Sequence, residues 1–160
     1  MPAKRSLPLA RVRRATVRDH DALRALEDAA FQPWRRASAR SLRRSLASPR
    51  QTVWLVAHPD PGRRPGEAAG LLVLWHHRSR LRVYDIATHD DVRGQGYGLA
   101  LMRHAEAVAR KEGCKDVSLE ADARDAALIA WYRRQGYGLV DRMPDFYAEG
   151  RPAVRLRKAV

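Results

Sequence analysis

Arg93-Gly94-Gln95-Gly96-Tyr97-Gly98 constrains this chain more than any other stretch. Three alternating glycines follow a β-like run and precede an amphipathic helix. Glycine has no Cβ and enters backbone conformations that other residues resist, so such a turn lets several N–H groups converge on one point. The following helix adds its own free N–H groups and the positive end of its dipole. The result is a seat for a phosphate or pyrophosphate, with Arg93 as a permanent positive charge beside it. Two familiar phosphate motifs do not fit. A P-loop needs Gly-Lys-Ser/Thr at the helix start, whereas Gly98 is followed by Leu99 and Ala100. A dinucleotide fingerprint reads G-x-G-x-x-G, whereas Gly94, Gly96 and Gly98 read G-x-G-x-G. A glycine-rich turn without a ligand is the plain alternative.

The rest of the chain reads as alternating strands and helices. Arg11 to Thr16 is a short strand. Asp19 is placed to cap a helix to about Ala30, with Ala22, Leu23, Leu26 and Ala30 on its apolar face. Ser38 caps a second helix carrying Leu42 and Leu46, and Pro49 lies just beyond it. Strands are expected at Thr52–His58, Gly70–Trp75 and Leu81–Thr88, the first two joined by a turn-rich connection from Pro59 to Gly66. In the third, Leu81, Val83 and Asp85 alternate with Arg82, Tyr84 and Ile86. A helix from Leu99 to about Arg110 follows the glycine loop, ended by Gly113. Val117–Ala121 is a strand, Asp125 caps a helix through Gln135, and Tyr137–Val140 and Ala153–Leu156 close the chain as strands. The order β-α-α-β-β-β-α-β-α-β-β is an α/β pattern around a mixed sheet.

Five segments, in this order and spacing, resemble the GNAT acyl-CoA N-acyltransferases. The glycine loop resembles the family's R/Q-x-x-G-x-G/A loop. Ile86-Ala87-Thr88 resembles the strand that pairs with pantetheine, and Leu119-Glu120-Ala121 the family's Leu-Glu-Val strand. Asp125–Tyr132 with Gln135-Gly136-Tyr137 resembles Asn-x-x-Ala-Ile-x-Leu-Tyr and the Gly-Phe that ends that helix. Phe146-Tyr147-Ala148-Glu149-Gly150 is similar to the Tyr-Tyr-x-Asp-Gly segment of the ribosomal-protein-alanine N-acetyltransferase branch. The chain departs from the pattern at Asp125, where Asn is usual, at Asp90, where that branch often has Pro, and at Trp131, where a smaller aliphatic residue is usual. The resemblance implies a single-domain α/β GNAT fold over residues 11–160. Its sheet would be mixed and mostly antiparallel, with about six to seven strands and about four flanking helices. Residues 1–10 are expected to be a flexible basic extension.

The resemblance also implies the chemistry. Acetyl-CoA is the expected cofactor. Arg93, Gly94, Gln95, Gly96, Tyr97 and Gly98 would hold its pyrophosphate. The backbone of Ile86, Ala87 and Thr88 would hold pantetheine as an added strand, with a backbone N–H near Thr88 facing the thioester carbonyl. Asp125 would lie near the cofactor arm. Glu120 is the candidate general base, directly or through one water; an ordinary strand carboxylate, facing solvent or paired with a nearby arginine, is its bland counterpart. Tyr132 is the candidate general acid, since a phenol of unperturbed pKa about 10 is protonated at neutral pH; a core aromatic is the alternative. Tyr147 would line the acceptor side. Cys114 has no evident base partner, and the six histidines show no spacing of metal ligands, so no metal is expected.

Composition narrows the acceptor and the compartment. Residues 1–50 hold 13 Lys and Arg against four Asp and Glu, which is most of the net charge of +13. Arg35, Arg36, Arg40, Arg43, Arg44 and Arg50 cluster there. They form a solvated basic face or a footprint for the ribosome or another acidic partner. With no apolar run long enough to span a bilayer, no signal-like stretch in Met1–Arg14 and one cysteine, a cytoplasmic, non-membrane protein is expected, as monomer or homodimer. The leading function is acetylation of a protein or peptide N-terminal α-amine. A small-amine acetyltransferase acting on a polyamine, aminoglycoside or amino acid is the second reading, mildly disfavoured by the positive charge. A non-catalytic acyl-CoA-binding or ribosome-binding module is the third.

Overall fold

The structure is a computed structural model that describes residues 11–60 and 67–160. The basic extension at 1–10 and most of the Pro59–Gly66 connection lie outside the described residues. The elements are β1 (Arg13–Arg14), α1 (His20–Ala30), α2 (Ala39–Ala47), β2 (Gln51–Ala57), β3 (Ala68–His77), β4 (Arg80–Thr88), α3 (Tyr97–Lys111), β5 (Asp116–Asp122), α4 (Ala126–Arg134), β6 (Gly138–Ala148) and β7 (Arg151–Ala159). The sheet has seven strands in the order β1-β2-β3-β4-β5-β7-β6. It is mixed: β4 and β5 run parallel, while β1/β2, β5/β7 and β6/β7 are antiparallel. This is the expected fold class. The described residues form two compact units, one within 11–74 together with 85–104 and one of 75–84 with 105–160.

In the first unit, Leu23, Leu26 and Leu42, which periodicity placed inward, lie in the core. Leu23 and Leu26 of α1 and Leu42 of α2 join Val53 and Leu55 of β2, Leu71 and Val73 of β3 and Ala87 of β4 in one cluster. Burying a side chain of this size contributes about 1.5–3 kcal/mol. The helix α2 starts where Ser38 Oγ accepts the Ser41 N–H at 3.0 Å. Asp19 behaves differently from the expectation. It stands at the α1 N-cap position, but its carboxylate turns back to accept the Thr16 N–H at 2.8 Å and to pair with Arg13 at 2.8 Å. The hydrogen bond from Arg13 holds the Asp19 carboxyl below the usual range. At Gly70 of β3 a Cβ would stand 2.9 Å from Leu101 Cδ1, so this glycine is what lets α3 pack so closely.

In the second unit, β5 and β7 stay in register from Asp116↔Ala159 to Asp122↔Ala153. Val117, Leu119 and Ala121 alternate into the buried side with Leu156, while Tyr137 OH donates to Glu106 Oε1 at 3.1 Å. Lys158 Nζ meets the same oxygen at 3.0 Å. Burial and the Glu106 charge push the Tyr137 phenol upward, so it stays protonated and donating. The last two strands are much longer than expected. β6 carries Gly138, Asp141, Arg142 and Pro144, residues of poor strand propensity, and it forms because β7 supplies the ladder. The register shifts between Met143 and Ala148, where Pro144 cannot donate to the ladder and Asp145 adopts φ 58°.

Candidate active site

The glycine loop lies in the first unit and has the predicted backbone character. Gly94 (φ 73°) and Gly96 (φ 92°) occupy the left-handed region that side chains disfavour. The Gly96 carbonyl accepts the Ala100 N–H at 3.0 Å. The N–H groups of Tyr97, Gly98 and Leu99 therefore open the helix with no acceptor one turn back. Gln95 braces the turn through Nε2, which donates to the Asp91 carbonyl at 3.2 Å. Tyr97 is buried and starts α3. Arg93 is exposed and ties two pieces together. Its guanidinium donates to the Ala30 carbonyl at the end of α1 (2.9 Å) and pairs with Asp90 (2.9 Å). The Asp that replaces the usual proline is thus a carboxylate competing for the loop's arginine.

Ile86, Ala87 and Thr88 end β4, with Ala87 in the core and its neighbours half-exposed. The parallel ladder to β5 runs from Arg80–Asp116 to Val83–Leu119 and stops there. Within the first unit, Ile86–Thr88 continue β4 beyond this ladder, so their backbone groups on that side carry no ladder partner among the described residues. An extended ligand pairs with such an edge as an added strand would.

Glu120 belongs to the second unit and is not an isolated strand carboxylate. Its side chain is 4% exposed and lies between two guanidiniums: Arg82 Nε to Oε2 at 2.9 Å, and Arg155 Nε to Oε1 at 3.1 Å. The strands explain the clamp. Arg155 is directly opposite Glu120 across β5/β7, and Arg82 is opposite Ser118, two residues back on the same face. Arg82 is itself held over the rings of Trp75 and Tyr84, 5.7 and 5.5 Å from their centroids. A carboxylate has about four lone-pair positions, so the clamp leaves room for a water or an amine N–H.

Asp125 caps α4, its Oδ1 accepting the Leu128 N–H at 3.0 Å. Tyr132 is buried on that helix, edge to face with Trp131 (4.9 Å) and Tyr137 (6.0 Å). Tyr147 lies past the β6 bulge, packed on Phe146 at 5.0 Å. Cys114 is buried, and burial with the Glu112 and Asp116 charges pushes its thiol up, away from nucleophilic character.

Comparison with known proteins gives the family and the fold. The model of the Acetyltransferase (GNAT) family matches residues 20–137. The chain belongs to the GNAT family. It is 29% identical over 96 residues to the N-alpha-acetyltransferase MAK3 of Arabidopsis thaliana, covering 58% of this chain and 50% of that protein. It is 38% identical over 82 residues to streptothricin acetyltransferase of Streptomyces lavendulae, covering 51% and 42%. The chain thus spans about half the length of these two relatives. In fold it is similar to the ribosomal-protein-S18-alanine N-acetyltransferase of Escherichia coli, with TM-score 0.81, 19% identity and coverage of 95% and 94%.

Three clusters were not visible in the linear GNAT pattern. Arg82 and Arg155 are the first. The second is the buried pair Glu27 and Asp85, on α1 and β4. Glu27 Oε2 accepts the Ala37 N–H at 2.9 Å, while Glu27 Oε1 and Asp85 Oδ1 are buried without a donor from any other described group. Burial first, then the Asp85 carboxyl, drives Glu27 well above the usual range, so a proton is shared between them. The third is His58, His89 and Asp91, whose ligand atoms all lie within 4.8 Å of one another. Both imidazole Nδ1 atoms accept backbone N–H groups, from Asp60 at 3.1 Å and Asp91 at 3.2 Å. A neutral ring bonded in that way keeps its proton on Nε2, which suits a link to a carboxylate rather than to a metal.

Proposed function

We propose that this chain is an acetyl-CoA-dependent N-acetyltransferase acting on a protein or peptide N-terminal α-amine. The observation that carries the reading is the left-handed Gly94 and Gly96 leading into the open N-terminus of α3, on the chain's match to the GNAT family. The residues fit the cofactor. The N–H groups of Tyr97, Gly98 and Leu99, with Arg93, would take a pyrophosphate, and the free edge of Ile86–Thr88 would take the extended pantetheine arm. When bound, acetyl-CoA supplies an acetyl group activated as a thioester.

The remaining work falls to this chain's side chains. Glu120, aimed by Arg82 and Arg155, removes the proton from the acceptor ammonium directly or through one water. Two arginines are always charged and cannot take that proton, so the carboxylate is the base of the cluster. Tyr132, buried on α4, donates its phenol proton to the departing thiolate. Asp125 fixes the start of the helix that carries Tyr132. Tyr147, at the β6–β7 hairpin, lines the acceptor side. The basic surface has a smaller place in this reading: Arg36 binds the Phe31 and Asp28 carbonyls at the end of α1, while Arg40, Arg43 and Arg44 stay exposed on α2 and available to an acidic partner such as the ribosome.

The 38% identity to streptothricin acetyltransferase favours a small-amine acceptor as the second reading. The test is product analysis by mass spectrometry after incubation with acetyl-CoA and a peptide that has one lysine and a free N-terminus. Acetyl on the α-amine supports the proposal. Acetyl on neither amine of the peptide, together with acetylation of a small amine, supports the second reading.

A further inference from the structure

Around Glu120 the sheet face is a lattice of charge. Two carboxylates on β5 are each bracketed by one arginine from β4 and one from β7. Asp116 Oδ2 lies 3.4 Å from Arg80 and 3.6 Å from Arg157, and Glu120 lies 2.9 Å from Arg82 and 3.1 Å from Arg155. The register makes this a built arrangement. Arg80 is opposite Asp116, Arg82 opposite Ser118, Ser118 opposite Arg157 and Glu120 opposite Arg155, all on one face by strand alternation. The next acidic residue along β5, Asp122, pairs with Arg124 and adds no surplus. With Asp141 of β6, exposed and opposite Arg155, four guanidiniums face three carboxylates, a surplus of one positive charge; the four arginine side chains are 29–51% exposed while the two carboxylates of β5 are 4–10% exposed. The negative charge of β5 is inside the lattice and the surplus positive charge is what the surface presents. Each guanidinium has five N–H donors in a planar fork, more than its internal partner uses.

From this we infer that the face selects acceptors with carboxylates close behind the amine: an acidic peptide N-terminus. The inference rests on Glu120 as the base, because that choice brings the acceptor to this face. Along an extended strand, two residues cover about 7 Å. A peptide whose α-amine reaches Glu120 and that runs along β5 thus passes Arg155 and Arg82 with its first side chains; Arg157 and Arg80, on Asp116 four residues further along β5, meet its fourth and fifth. A polyamine meets like charge at the same positions and is disfavoured.

The test is binding, read by fluorescence anisotropy on the intact protein with acetyl-CoA present. The probes are two peptides with free N-termini, labelled at the C-terminus. One has Asp and Glu at positions two to five, the other Asn and Gln. The inference predicts that the acidic peptide binds about fivefold or more tighter, as a few half-exposed pairs provide. It also predicts that the advantage fades as salt rises toward about 0.5 M, where the Debye length shortens to about 4 Å, and shrinks in R80Q/R157Q. Should that variant lose stability, the salt titration on the unaltered protein carries the test alone. Equal binding of the two peptides, or an acidic advantage indifferent to salt, overturns the inference. So does tight binding of a short single-stranded RNA with no binding of the acidic peptide. Turnover of both peptides at equal kcat/KM overturns it while leaving α-amine acetylation intact. An acidic preference in binding without turnover of either peptide does the reverse.

Discussion

Replacing Glu27 by Gln should change how stability depends on pH without changing the fold. Glutamine is the isostere of a protonated glutamate. Its Oε1 can keep the Ala37 N–H bond, and its NH₂ can donate to Asp85 in place of the shared proton. An exposed glutamate ionises near pH 4.3, whereas burial and the Asp85 carboxyl raise Glu27 to about 9. The folded-state pKa is the higher one. The stability that the proton provides is therefore complete below about pH 4.3 and is lost as pH rises toward about 9. In that window the unaltered protein loses about 1.4 kcal/mol per pH unit relative to a group that does not titrate. Between about pH 5 and pH 8 the difference accumulates to about 4 kcal/mol. For a domain of this size each kcal/mol moves Tm by about 2–4 °C, so E27Q should melt about 10 °C above the unaltered protein at pH 8 and close to it at pH 5. Thermal unfolding followed by circular dichroism at the two pH values measures this. Parallel Tm–pH curves for the two proteins would refute the shared-proton account. Glu27→Ala, which removes both bonds, should be destabilised at both pH values.

Other consequences follow from the site. Glu120→Gln keeps hydrogen-bonding capacity but cannot take a proton; kcat should fall about 10²–10⁴-fold with acetyl-CoA affinity unchanged, and the acidic limb of the pH–rate profile should change. Tyr132→Phe should lower kcat by a similar order in pre-steady-state thiol release while the protein melts within a few degrees of the original; full turnover would remove Tyr132 from the chemistry. Gly96→Val forces a branched side chain to φ 92° and should weaken acetyl-CoA binding about tenfold or more by calorimetry. Asp90→Asn frees Arg93 from its carboxylate and should tighten acetyl-CoA severalfold at low salt, an effect that fades at high salt.

What the sequence revealed and what it hid differ by the range of the interaction. Ser38 and Asp125 cap their helices as read, because a cap is set by residues three apart. Leu81, Val83 and Asp85 alternate with Arg82, Tyr84 and Ile86 as read, because the pleat has period two. The left-handed Gly94 and Gly96 follow from the glycine pattern itself. Asp19 shows where local reading fails: a helix-start aspartate with an arginine six residues earlier is drawn back to that arginine. The length of β6 was hidden because its residues favour coil and only pairing with β7 makes them a strand. The arginine clamp on Glu120 was hidden for the same reason, since Arg82 and Arg155 lie 38 and 35 residues from it in the chain and meet it only through register. The Glu27–Asp85 pair required the packing of α1 on β4, which no motif records.

Thiol release from acetyl-CoA across an acceptor panel tests the central claim most directly. The panel holds peptides with free N-termini, the same peptides with blocked N-termini, and polyamines. The account predicts release with the free N-termini and none with the blocked peptides or the polyamines. Release with polyamines alone, or release that ignores blocking of the N-terminus, would contradict it.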